Sequence, residues 1–94
     1  MKTFNWNDEK NKSLKQERGI SFEDVVSCIQ NGNLFSIIEH KNPQKYPGQK
    51  IFVIEFNDYV YLVPFVETEK EIFLKTIFPS RKATKLFLRG GKND

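Results

Sequence analysis

Apolar side chains recur first at a helical spacing and then, further along, at an alternating one. Over residues 22–31, Phe22, Val25, Val26 and Ile29 fall three and four apart, which sets them on one inward face of a core helix. Ser21 precedes that run with Asp24 three positions on, the spacing of a capping box, and Gly32 supplies the stop. An earlier helix is predicted between Asn7 and Gly19. Asn7 is a good N-cap, Asp8 and Glu9 fall in the first turn and Lys12, Lys15 and Arg18 later, an order that suits the helix dipole. Leu14 is its one clear apolar anchor, so Phe4 and Trp6 just upstream are expected to supply much of its packing.

Strand-like patterns follow. Leu34 to His40 reads as a first strand, and Lys41 to Gly48, punctuated by Pro43, Pro47 and Gly48, as a loop. Lys50–Phe56 and Tyr59–Val66 are two strands joined by Asn57-Asp58, a pair that tolerates positive φ and fits a tight hairpin. After the polar turn Glu67–Lys70, Glu71–Phe78 is expected to return as a fourth strand. Pro79 stops it, and Ser80 caps a final helix with Ala83, Leu86 and Phe87 as its packing stripe. The predicted order is α-α-β-β-β-β-α: an α+β domain over residues 1–94, two N-terminal helices, a four-stranded antiparallel meander and a C-terminal helix. Gly90–Asp94 is a polar tail expected to be disordered.

With 94 residues there is bulk for one core rather than two, and the nine phenylalanines place the chain outside the disordered range. Cys28 is alone, which excludes an intramolecular disulfide, and no Cys/His spacing suggests a zinc site. The first residues lack the apolar core of a signal peptide and no run is long enough to span a membrane, so a cytoplasmic location is expected. The net charge of +3 is unevenly spread: Lys70, Lys75, Arg81, Lys82, Lys85, Arg89 and Lys92 face only Glu71 and Asp94 in the last quarter. Such a positive end suits a polyanion or an acidic partner, or is a solvated basic helix and tail.

Glycine-rich phosphate loops, nucleophile elbows, HExxH and metal-seating carboxylate pairs are all missing from the sequence. No cofactor or metal is expected. What remains is basic and phenolic. Arg81 and Lys82 fall in the first turn of the last helix, where unpaired amides make cations unfavourable unless an anion is present; the bland alternative is two solvated side chains. Lys75 is a charge on an otherwise apolar strand, free to snorkel to solvent or to point at the same anion. Tyr59 and Tyr61 share a strand face with Val63 and Phe65; Tyr61 is a stacking platform for a base, or part of the core. His40, alone in titrating near neutrality, is a candidate general acid or base beside the loop that carries Lys41, Lys45 and Tyr46, or is merely exposed. Lys41, Lys45, Lys50 and Lys85 complete the cations that a polyanion would meet. Cys28 reads as a small buried hydrophobe rather than a catalytic thiol.

The stretches Phe4-x-Trp6-Asn7-x-x-Lys10-Asn11, Leu14, Gly19-Ile20-Ser21-Phe22-Glu23-Asp24 and Ser80-Arg81-Lys82-Ala83-Thr84 together resemble the BrnT toxin family. Members typically begin Phe-x-Trp-Asp, open the second helix with Gly-Val-Ser-Phe-Glu-Glu and carry Ala-Arg-Arg-Ala-Thr near the end. Asn7 replaces the usual Asp, Lys82 replaces the second Arg, and residues 40–61 carry no alignable pattern. The resemblance implies a RelE-like fold, ribonuclease toxicity directed at translation, and neutralisation by a BrnA-like antitoxin. It implies metal-free cleavage in which the RNA 2′-hydroxyl attacks the adjacent phosphate. Arg81 and Lys82 would then stabilise the phosphorane, Lys75 would assist, and His40 or Tyr46 would relay a proton. A non-catalytic RNA- or protein-binding module, or a toxin that has lost activity, uses the same residue types.

Overall fold

The computed structural model describes residues 2–39, 42, 44–45 and 47–88. His40, Lys41, Tyr46 and the expected tail 90–94 therefore lie outside the described residues. The elements in chain order are β1 (Thr3–Asn5), α1 (Asp8–Arg18), α2 (Phe22–Gln30), β2 (Leu34–Glu39), β3 (Gln49–Phe56), β4 (Tyr59–Glu67), β5 (Glu71–Leu74), β6 (Phe78–Pro79) and α3 (Arg81–Leu88). The architecture is α+β: two N-terminal helices, a mixed sheet and a C-terminal helix.

Both first helices start and stop where the capping residues require. The Asn7 side chain accepts from Lys10 N, and Gly19, at φ 69, closes α1 in the left-handed region that a side chain would disfavour. Ser21 and Asp24 form the reciprocal capping box of α2. Asn11 then joins the two helices: its Oδ1 accepts from Phe22 N at 2.7 Å and its Nδ2 donates to Glu23 Oε1 at 2.8 Å. That amide holds the Glu23 carboxyl below its usual range.

The sheet runs β1-β5-β4-β3-β2, with β6 pairing β4 beyond the end of β5. Asn57 and Asp58 both have positive φ, 53° and 63°, as the tight β3–β4 hairpin demands. Two features depart from the expected four-stranded antiparallel meander. Thr3–Asn5 forms a strand and pairs parallel with β5, so the sheet is mixed. The predicted strand Glu71–Phe78 is also broken into β5 and β6. Phe65 pairs Leu74 while Leu62 pairs Phe78, so three steps on β4 face four on its neighbour, the signature of a bulge. The break falls opposite Pro64, which has a carbonyl that accepts from Lys75 N at 2.8 Å but no N–H to return. The bulge lets both Leu74 and Ile77 reach the core, which strict alternation over 71–78 would forbid. The Arg18 guanidinium, at the end of α1, donates to Ile77 O and ties the broken segment down.

Helices α1 and α2 cover one sheet face. Leu14, Phe22, Val25 and Cys28 pack there against Phe52, Ile54, Val63, Phe65 and Leu74. Phe52 and Phe65 stack at 3.9 Å between ring centroids, and Trp6 stacks on Phe22 at 5.7 Å, as the scarcity of apolar residues in α1 requires. Burial pushes the Cys28 thiol up from its ordinary value, and it donates to Glu55 O. Helix α3 lies on the opposite face, over Val53 and Leu62, which alternate with core residues along β3 and β4. Its packing differs from the expected stripe. Thr84 is its fully buried residue, Phe87 stacks on Phe35 of β2, and Leu86 is exposed.

Candidate functional site

The start of α3 is fixed to one residue of the central strand. Ser80 N donates to Val60 O at 3.0 Å, and the Ser80 hydroxyl accepts from Ala83 N at 3.0 Å. One turn on, the Thr84 hydroxyl donates to Ser80 O at 2.7 Å and accepts from Val60 N at 2.8 Å. The short β6 ends just before Val60 would need a partner, and the helix start takes both of its backbone groups in place of a strand. A buried N–H is expensive to leave unpaired, so this junction is rigid.

Arg81 and Lys82 project from that fixed turn. Both are exposed, and among the described residues neither side chain makes an ion pair or hydrogen bond. The first turn of α3 holds no acid, unlike α1 and α2, which open on Asp8, Glu9, Glu23 and Asp24. A cation near a helix N-terminus is unfavourable by about 0.3–1 kcal/mol, and a phosphate bound there reverses the sign. Ala83 N and Thr84 N are taken by Ser80, so the Arg81 and Lys82 amides remain for a ligand. Arg81 is the side chain able to grip a phosphate through two parallel hydrogen bonds.

Other predicted site residues are distributed over both faces. Phe73 alternates with the core residue Leu74 and so lies on the α3 side, and Lys75 Nζ rests 5.6 Å from the Phe73 ring centroid. Its charge is thus held by a cation–π contact at the bulge. Lys85 is exposed on the last turn of α3. Lys50 alternates with Ile51 and shares the face of Phe52 and Ile54, opposite α3. Tyr61 packs against the α1–α2 core and meets Phe56 and Tyr59 edge-on, so its ring is part of that face and is not brought to Arg81. Lys45 is exposed in the β2–β3 loop, where its N–H donates to Asn42 Oδ1. His40, Lys41 and Tyr46 lie outside the described residues. No three His, Cys, Asp or Glu side chains gather into a metal-ligating group among the described residues, and no described helix is long and apolar enough to cross a membrane.

Thr84 was not singled out by its residue type, although it closes the Ser80–Thr84 motif. The signal available in the sequence was a small polar residue on the inward side of a short amphipathic helix. A β-branched hydroxyl there is buried only if it has partners.

The family model described as "Domain of unknown function (DUF4258)" matches residues 13–79. No curated protein and no solved structure matches the chain.

Proposed function

We propose, from the premise that the chain belongs to the DUF4258 family, that it is the toxin of a type II toxin–antitoxin pair: a BrnT-type, RelE-like endoribonuclease that cuts RNA, inhibits translation and is silenced by a cognate BrnA-like antitoxin. The observation that carries this is the start of α3, where two exposed cations and two open amides stand on a rigid turn with no acid. Such a turn suits a phosphodiester whose charge rises during reaction. The 2′-oxygen of the RNA bonds to the adjacent phosphorus and the bond to the 5′-oxygen breaks, leaving a 2′,3′-cyclic phosphate and a 5′-hydroxyl. Arg81 and Lys82 stabilise the phosphorane and Lys75 adds long-range positive potential. His40 or Tyr46 takes the proton of the 2′-hydroxyl or delivers one to the leaving oxygen. Lys45 and Lys85, with Lys41, steer the polyanion toward the turn.

A binding module without cleavage is the competing reading, favoured by the apolar groove that adjoins Lys82. Incubation of the purified chain with a defined RNA separates the two. Cleavage with cyclic-phosphate ends is expected, and Arg81→Ala is expected to slow it by about 10²–10³-fold, the usual cost of one transition-state donor. RNA that is bound but left intact by the wild type assigns the binding module.

A further inference from the structure

We infer that β2 and α3 together form a docking surface for an extended segment of a partner protein, apolar at alternate positions and carrying a carboxylate that meets Lys82. The inference shares Lys82 with the RNA reading but is carried by β2 and the groove beside it, so it holds for a toxin and a binding module alike.

β2 is the terminal strand of the sheet, so one side of its backbone is open to pairing among the described residues. Phe35, Ile37 and Ile38 are 40%, 50% and 41% exposed, and Leu86 beside them on α3 is 58% exposed. Exposed edge strands ordinarily carry Lys, Pro, inward charges or a bulge that discourages pairing; β2 is bulged between Leu34 and Ser36, and Ile37 and Ile38 beyond the bulge are flanked there by no proline or lysine of the strand. The opposite edge is handled differently: β1 is three residues long, and the Lys2–Glu67 ion pair closes its end at 2.5 Å. The apolar stretch of β2 beyond its bulge is thus the part of the sheet's edges left open to pairing among the described residues.

Beside that edge lies a groove of about 190 Å³ whose floor and walls are Ile38, Val53, Leu62, Ala83 and Leu86, with Lys82 on its rim. It falls below the roughly 300–1,000 Å³ of small-molecule sites and takes side chains instead. Alternation puts Ile38 on the groove side of β2 and Ile37 on the other, so an added strand is gripped on both faces. Lys82 has no acid partner among the described residues, and a carboxylate in the occupant complements it. A second copy that adds its own β2 to this edge supplies none on the groove side. The only carboxylate of its β2 is Glu39, which pairs with Lys50 on the face away from the groove. The chain's own last residues, Arg89 to Asp94, include no apolar side chain to fill it.

Phage-displayed random decapeptides, selected on the wild-type chain and counter-selected on Ile38→Lys, test this. Enriched peptides are expected to alternate apolar residues and to include Asp or Glu. Synthesised, they should shift the amide resonances of Leu34–Glu39 and lose about tenfold in affinity or more for Ile38→Lys and for Lys82→Glu, the scale of one interfacial charge pair. Melting curves verify that the variants fold, and Leu86→Lys replaces Ile38→Lys if that chain does not. Three outcomes overturn the inference: no enrichment, enriched peptides that are basic or bind the variants equally, or a wild-type dimer in light scattering that Ile38→Lys dissolves.

Discussion

Asn11 shows how a single polar side chain organises the N-terminal half. One amide satisfies the first N–H of α2 and also holds the Glu23 carboxylate. Asn11→Ala is expected to cost about 0.5–2 kcal/mol in urea unfolding, the range of a lost cap. The Glu23 carboxyl is held below its usual range in the folded chain, chiefly by Asn11. A depressed folded value contributes stability above the ordinary carboxylate range and loses it as pH falls through the folded value. The gap between wild type and Asn11→Ala should therefore be widest near neutrality and narrow in acid. Its pH-dependent part is the smaller one, because Glu23 is exposed. Most residues behind the BrnT resemblance prove to have jobs of this kind. Asn7, Ser21 and Ser80 cap helices, Gly19 turns the chain, Trp6 and Phe22 stack, and Thr84 is buried. Lys10, Arg81 and Lys82 are the motif residues with cationic side chains that no contact among the described residues uses, and Arg81 and Lys82 are the two that stand together at a helix N-terminus, which is why the functional proposal rests on them.

Among the elements, those with local chemistry were legible in the sequence. α1, α2 and the β3–β4 hairpin followed from caps, periodicity and Asn57-Asp58, whose signals lie within a few residues of one another. What was not legible depends on partners distant in sequence. β1 is too short to show a period and exists because β5 offers it an edge. The break between β5 and β6 is imposed from the neighbouring strand by Pro64, and the short α3 is held through Thr84 rather than by its apolar stripe. Thr84→Val keeps the shape but orphans Val60 N–H, so a loss of about 1–3 kcal/mol is expected by denaturant unfolding, with Thr84→Ser retaining most of the stability. If Thr84→Val unfolds like wild type, α3 is anchored by something else and its first turn is not the rigid platform described.

Across the whole molecule the sheet separates two surfaces. One is covered by α1 and α2 and includes Lys50 and Tyr61. The other is covered by α3, which carries Arg81, Lys82 and Lys85, and has the apolar groove that Lys82 lines beside the β2 edge. The sequence showed the basic C-terminal quarter but not this division, since which face a strand residue occupies is decided by pairing register. The cations and the groove meet at Lys82. A partner seated along β2 would therefore lie against the proposed RNA turn, the arrangement needed to silence it. Growth and RNA integrity in a bacterium after induced expression of the wild type beside Arg81→Ala test the proposed activity most directly. Growth arrest with cleaved RNA is expected for the wild type, and normal growth with intact RNA for a folded Arg81→Ala chain. Normal growth with both, or equal arrest by both, would contradict a ribonuclease centred on Arg81.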